Sequence, residues 1–580
     1  MSDLIDRLKQ RKVTKRSAKV SLEGRVLYLV DDADAIQRQL QGEDLSPQHG
    51  LDYRDNISTD EMTPAYVCYY HDETLGEFPY VGYSAGGEFP FTRNSVKEGG
   101  FAASVSGKRR GKGSSREASP YAELCAGIHL VFAENIERIY QQNCHNLGLL
   151  TCTDLSVLDR LLEGEVVSLD DFTVGKDPVT TQIIEWGGLF EFNLARVQGQ
   201  VDLPGPKLSD GPQTITQKIF ASHRVIDSST YEVGAKSAVV GDAGFFATDL
   251  RFSHEYVTPM AATFFEEKVG KGEPLNDPES IILFRDHLTF LEQAMTPERK
   301  KMGLLNTAQQ LKIKQEQFAE TYDLTLHGET EHGGSEAICH SKMLQDYALP
   351  GHLIIGSDSH TPHSGAIGCV AFGVGTTAIF NSWITRDVYS LVPESVRVEV
   401  KGKRPDGVTA KDMMLAILRT PYVADGHAIG KMVEYCGEAV KELSIDERAT
   451  MTNMAAEVGA FSGIVVPDEK AAEFMVNERG MDPAKAKAYC EGLESDPGSE
   501  YCHEIIIDAE ALEPLVALPG DPGNGLEISK LEADVRIDIA YGGSCTAGKK
   551  EDMDMYAEVL IAGLERGERV AEDVEFWIQF

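Results

Sequence analysis

The stretch HLIIGSDSHTPHSGAIGCVAFGVGTTAIF (352–380) constrains this chain more than any other. Two apolar runs, each too short for a buried helix, are separated by small and polar residues, and the second opens into TTAIF. Short apolar runs bounded by glycine read as strands buried on both faces, and strands alternating with helical segments read as a parallel α/β sheet. The first run ends in Asp358, Ser359 and His360. Open α/β sheets keep their sites beyond the carboxyl ends of their strands, so position alone makes these three side chains candidates.

The same alternation runs from 215 to about 395. RVEVKGKRPDGVTAKDMMLAIL (397–418) predicts a strand, a turn and a helix N-capped by Thr409, opening another α/β unit that reaches about 530. A last unit starts with VRIDIAYG (535–542) and runs to VEFWIQF (574–580). Upstream, DNISTDEMTPA (55–65) leads to GKGSSREASPYAELCAGIHLVFA (111–133), which reads as a glycine loop, a helix and a strand. The proline-rich VDLPGPKLSDGPQT (201–214) reads as a linker. The expected organisation is a frayed tail at 1–20, a first domain at 21–200, a linker at 201–213, and α/β units at 214–395, 396–530 and 531–580, the last incomplete. A length of 580 residues favours several cores over one.

Charge and cysteine usage narrow the function classes. Lys plus Arg number 55 against 92 Asp plus Glu, a net charge of −37. Such a field repels nucleic acid and anionic surfaces, so an anionic substrate needs a local positive pocket. No run of eighteen apolar residues occurs, and the N-terminus lacks the apolar stretch of a secretory signal. Ten cysteines without paired spacing suit reduced thiols in a cytoplasmic protein.

Several motifs carry chemistry beside a plain structural alternative. GKGSSRE (111–117) puts Ser114, Ser115 and Arg116 where a loop enters a helix, a place that attracts anions; it also suits a simple serine cap. FRDHLTF offers Asp286–His287, and GSDSH offers Asp358 with His360, each equally suited to a satisfied Asp–His pair. ICHSKML offers His340, by itself a packed core residue. TNMAAEVGA places Asn453 and Glu457 four apart, on one helical face. GGSCTAGKKEDM sets Cys545 in a tight turn, where a buried small residue would also sit. The GVG at 373–375 lacks the rest of a dinucleotide loop.

Together and in this order, GSDSHTPHSGAIGCVAFGVGTT, RDH, ICHSKML, TNMAAEVGA and GGSCTAGKKEDM resemble the aconitase superfamily of iron–sulfur hydro-lyases, which includes aconitase, isopropylmalate dehydratase and homoaconitase. HEYVTPMAATFF (254–265) and TITQKIFASH (214–223) are similar to further segments of its catalytic part, and DNISTDEMTPA and GKGSSREASPYA to its swivelling domain or small subunit. The resemblance implies three α/β/α catalytic domains, the last incomplete, with a swivel domain placed before them, the reverse of the order in fused aconitases. It implies a small hydroxy di- or tricarboxylate substrate, no nucleic acid or membrane, and a monomer with its swivel domain in the same chain.

The same resemblance implies roles. Ser114 would take the C–H proton; Ser115, Arg116, His254, Ser359 and Asn453 would bind substrate; Asp286, His287, His340, Asp358, His360 and Glu457 would act in catalysis; and Cys545 would hold one corner of a [4Fe–4S] cluster. The family's second and third cluster cysteines come from a G-C-x-x-C segment, and no C-x-x-C occurs in these 580 residues, so the natural polypeptide is expected to continue past Phe580. SCTA stands where the family usually has SCTN, and Ser58 where an aspartate is common. SDSHTP reads like aconitase, VTAKD and VVPDE like isopropylmalate dehydratase; the separable swivel motifs tilt the expectation to the latter. A rival of another class is a cluster-free binding protein on the same scaffold, against which the charge and the retained Ser114, Arg116 and Asp/His motifs weigh.

Overall fold

The computed structural model describes residues 3–45, 52–113, 117–201, 203–532 and 535–579. It opens on helix α1 (Asp3–Leu8), where the sequence predicts a frayed tail. Leu4, Ile5 and Leu8 fall on one face at helical spacing and are buried in the large core that also holds Phe190 and Ile379, so hydrophobic burial fastens this end.

Next comes a four-stranded parallel sheet of β1 (Arg25–Tyr28), β2 (Phe101–Ser106), β3 (Leu130–Ala133) and β4 (Leu150–Cys152) in that order. All six residues of β2 are buried, as a strand covered on both faces requires. Helix α2 (Ala118–Cys125) connects β2 to β3, and α3 (Arg138–Leu147) connects β3 to β4. Helix α4 (Leu189–Val197) closes this region.

The second sheet positions the candidate site. Its strands β5 (Leu250–His254), β6 (Ile281–Phe284), β7 (Thr325–His327), β8 (Leu353–Gly356) and β9 (Val370–Gly373) are all parallel and lie in the order β7-β6-β5-β8-β9. Successive strands are added first to one side of β5 and then to the other, which opens a crevice between the carboxyl ends of β5 and β8. Helix α5 (Thr376–Thr385) follows β9.

A third sheet repeats the plan with β10 (Ser395–Lys401), β11 (Met432–Cys436), β12 (Ser462–Val465) and β13 (His503–Asp508), parallel in the order β12-β11-β10-β13. Thr409 caps the helix after β10, its N–H and hydroxyl each donating to Asp412 Oδ2 at 2.7 Å. Helix α6 (Ile445–Asn453) is followed after Met454 by the single turn α7 (Ala455–Val458). Asn453 and Glu457 therefore do not share one continuous helical face, contrary to the expectation from their spacing. Thr452 bonds back to the Arg448 carbonyl at 3.3 Å, a competition with helix bonds that bends helices.

The last unit pairs β14 (Ile539–Gly542) in parallel with β15 (Glu575–Ile578), joined through α8 (Ser544–Ala547) and α9 (Lys550–Glu565). Val559 and Trp577 remain exposed there. No helix among the described residues is long and apolar enough to cross a membrane.

Candidate active site

The carboxylate of Asp358, two residues past the end of β8, is the centre of the site. Its Oδ1 lies 3.0 Å from His340 Nε2 and accepts the His360 backbone N–H at 2.8 Å. Its Oδ2 lies 3.4 Å from His287 Nε2 and 3.9 Å from His254 Nε2. Four imidazoles thus surround one carboxylate, each brought by a different part of the sheet edge: His254 ends β5, His287 follows β6, His340 precedes β8 and His360 follows it. Across the crevice, the His254 backbone N–H donates to Ser357 Oγ at 3.2 Å and ties β5 to β8.

Charge is divided unequally among these rings. Burial opposes a charge on His287, but its bonds to Asp286 at 2.7 Å and to Asp358 hold its pKa well above the ordinary value. Burial acts the same way on His360, yet Asp358 and Glu457 raise it to about 11, with Glu457 Oε1 3.1 Å from Nε2. His254 stacks on His287 with ring centroids 4.0 Å apart; burial and then the neighbouring charge lower it to about 3, so it is neutral. Asp358 and Asp286 are held below the carboxylate range by their imidazole partners, although burial pulls the other way. The site therefore presents a neutral imidazole beside two charged ones, a local positive field inside an acidic protein.

Two buried groups that the sequence reasoning missed support this arrangement. Glu255, directly after His254, accepts the backbone N–H groups of His287 at 2.8 Å and Leu288 at 2.6 Å and so fixes the turn bearing Asp286. An acidic side chain directly after His254, at a strand end, was the available signal. His363, in the same SDSHTPH run as Asp358, receives Asn453 Nδ2 on Nδ1 at 3.1 Å, and burial keeps it neutral. Asn453 in turn lies 3.7 Å from the sulfur of Cys545, which sits on α8. Gly543 lets that turn form by close packing: a Cβ there would fall 2.2 Å from the Gln579 carbonyl at the end of β15.

The structure thus gathers His254, Asp286, His287, His340, Asp358, His360, Asn453, Glu457 and Cys545. Ser359 is exposed at the rim, its Oγ 3.3 Å from His360 Nδ1. Ser114, Ser115 and Arg116 lie outside the described residues.

Ligand atoms of His254, His287 and Asp358 lie within 4.8 Å of one another, as do those of Glu255, Asp286 and His287. Both nitrogens of His287 donate to carboxylates, which leaves that ring no lone pair for an ion. For an iron–sulfur cluster the fit is partial. Two buried imidazole nitrogens, His340 Nδ1 and His363 Nε2, have no hydrogen-bond partner among the described residues, and the half-buried Cys545 faces the same group. Cys339 is fully buried and its thiol is pushed far up by that burial, whereas Cys545 is only half-buried; a cluster takes three or more thiolates.

Arg196 on α4 grips Asp387, two residues past α5, with two hydrogen bonds of 2.9 and 2.7 Å, both side chains being buried.

The family model described as Aconitase family (aconitate hydratase) matches residues 217–580, and that described as Aconitase C-terminal domain matches residues 63–155, ahead of it in the chain. The 3-isopropylmalate dehydratase large subunit 1 of Pyrococcus furiosus is 34% identical over 62% of this chain and 76% of its own length. The large subunit from Wolinella succinogenes is 34% identical over 63% of this chain and 78% of its own length. A solved structure of 3-isopropylmalate dehydratase from Methanocaldococcus jannaschii matches 24% of this chain and 86% of its own at 24% identity, with a TM-score of 0.18. With its Asp–His edge, its buried Asn453 and a family match spanning more than half of its length, this chain belongs to the aconitase family of hydro-lyases.

Proposed function

We propose that this protein adds and removes water across a carbon pair of a small hydroxy di- or tricarboxylate, with 3-isopropylmalate as the preferred substrate. The observation that carries this reading is the Asp358 carboxylate set among four imidazoles, two of them held charged. Removal of water needs a proton for the departing hydroxide and a base for the C–H bond. His360, charged between Asp358 and Glu457, is placed to give the first proton at Nε2 and to retrieve it when water adds back. His287, charged and backed by Asp286, attracts a substrate carboxylate, while neutral His254 offers it an uncharged hydrogen bond. Ser114 takes the C–H proton, with Ser115 and Arg116 gripping a second carboxylate.

Cys545 supplies one thiolate toward a [4Fe–4S] cluster. A cluster held there would supply Lewis acidity toward the substrate hydroxyl. Both relatives named above are large subunits, whereas here the segment matching the aconitase C-terminal domain belongs to the same chain, so the swivel function is provided in cis.

The test is turnover by the protein purified without oxygen and supplied with iron and sulfide, followed by the ultraviolet absorbance of the unsaturated acid. Isopropylmalate is expected to react faster than citrate or homocitrate. Faster conversion of citrate would move the preference to aconitate hydration, and inertness toward all three would defeat the reading.

A further inference from the structure

Glu117 directly follows Ser114, Ser115 and Arg116, and it belongs to the first domain, yet it is bound to the catalytic one. Its Oε2 accepts the Thr377 N–H at 2.7 Å and its Oε1 accepts the Thr377 hydroxyl. Thr377 stands in the first turn of the ten-residue helix α5, where unpaired N–H groups and the helix dipole favour a carboxylate. Glu117 is only 2% exposed, and its partners are neutral N–H and O–H groups. Burial pushes its carboxyl up to about 7 against the pull of those bonds.

The receiving turn is shaped for this guest. A Cβ on Gly375 would fall 2.5 Å from Glu117 Oε2 and 2.5 Å from Asn143 Oδ1, so a side chain there would expel both groups of the first domain. The GVGTT run that resembled part of a nucleotide loop thus receives a carboxylate from within the chain. It is also the neighbour of the site: Gly373 at the end of β9 pairs with Gly356 at the end of β8, two residues before Asp358.

We propose that Glu117 is a positioning residue, docked on the N-terminus of α5 so that helix α2, at whose N-cap it stands, is fixed to the sheet that carries Asp358. What this docking contributes to turnover rests on the hydro-lyase reading above, whereas the docking itself does not.

The experiment measures hydrogen exchange of the amides at 374–378, together with kcat and KM, in the complete protein carrying Glu117→Ala, Glu117→Gln or Thr377→Val. Glu117→Ala is expected to speed exchange at 374–378 at least tenfold, to leave exchange in β5 unchanged, and to lower kcat at least tenfold with little change in KM. Glu117→Gln keeps the shape and an oxygen acceptor and is expected to recover most of both losses. Thr377→Val, which retains the glutamate, is expected to show an intermediate effect. Unchanged exchange at 374–378 in Glu117→Ala would overturn the docking. Faster exchange there with undiminished kcat would overturn the positioning role. If the unaltered protein turns over none of the acids, the exchange result alone still decides the docking.

Discussion

Glu457 Oε1 lies 3.1 Å from His360 Nε2, bringing together groups 97 residues apart in sequence. Glu457 stands on α7, just before β12 of the third sheet, and His360 follows β8 of the second, so the imidazole links the two sheets while bridging two carboxylates. A histidine in that position keeps its proton far above neutral pH.

Removing one of the two carboxylates should loosen that proton. In Glu457→Gln the His360 pKa is expected to drop from about 11 by roughly a unit or more, or about 1.4 kcal/mol per unit. Because the folded value is raised, the stabilisation is complete below the ordinary value of 6.5 and is lost as pH rises through about 11; in the variant that loss begins at lower pH. Titration of the His360 ring by nuclear magnetic resonance measures it, and an unmoved curve would refute the bridge.

His254 makes the opposite prediction. Its folded value of about 3 lies below the ordinary 6.5, so its contribution is present above pH 6.5 and is lost as pH falls toward 3. His254→Gln should flatten the decline in stability across that window, as read by urea unfolding at a series of pH values.

Much of the site was legible in the sequence, for a physical reason. Asp358 and His360 close a short apolar run, and strand ends in a parallel sheet are where side chains meet. His340 was legible only through family resemblance, because its role depends on Asp286 Oδ2 accepting the Cys339 N–H at 2.7 Å and so setting the turn. Glu255 and Glu117 escaped notice because each works on backbone N–H groups distant in sequence, a task that leaves no periodic pattern. The break between Asn453 and Glu457 was hidden as well, since Thr452 favours a helix only weakly and its hydroxyl also reaches the His363 carbonyl at 2.9 Å. At the other end, the apolar face of α1 was written in Leu4, Ile5 and Leu8, but the basic residues that follow masked it.

The Arg196–Asp387 pair should prove costly to break and cheap to replace. Arg196→Met alone leaves a buried carboxylate without its partner and is expected to cost about 3–5 kcal/mol. Adding Asp387→Leu should recover much of that loss, a coupling that denaturant unfolding of the single and double variants measures.

Cys545→Ser should separate chemistry from folding. The side chain is half-buried and its hydrogen-bond contact among the described residues is a weak 3.7 Å approach to Asn453, so stability should stay within about 0.5 kcal/mol, the range typical of surface changes. Iron bound per chain after reconstitution should fall together with activity. A variant that keeps its iron would remove Cys545 from the cluster.

The most direct test of the account is the turnover of Asp358→Asn beside the unaltered protein, both reconstituted with iron and sulfide and matched for iron content. The unaltered protein should convert isopropylmalate to the unsaturated acid, and the variant, whose surrounding imidazoles lose their shared anion, should be slower by about 10²–10⁴-fold. Equal rates in the two proteins would contradict the account.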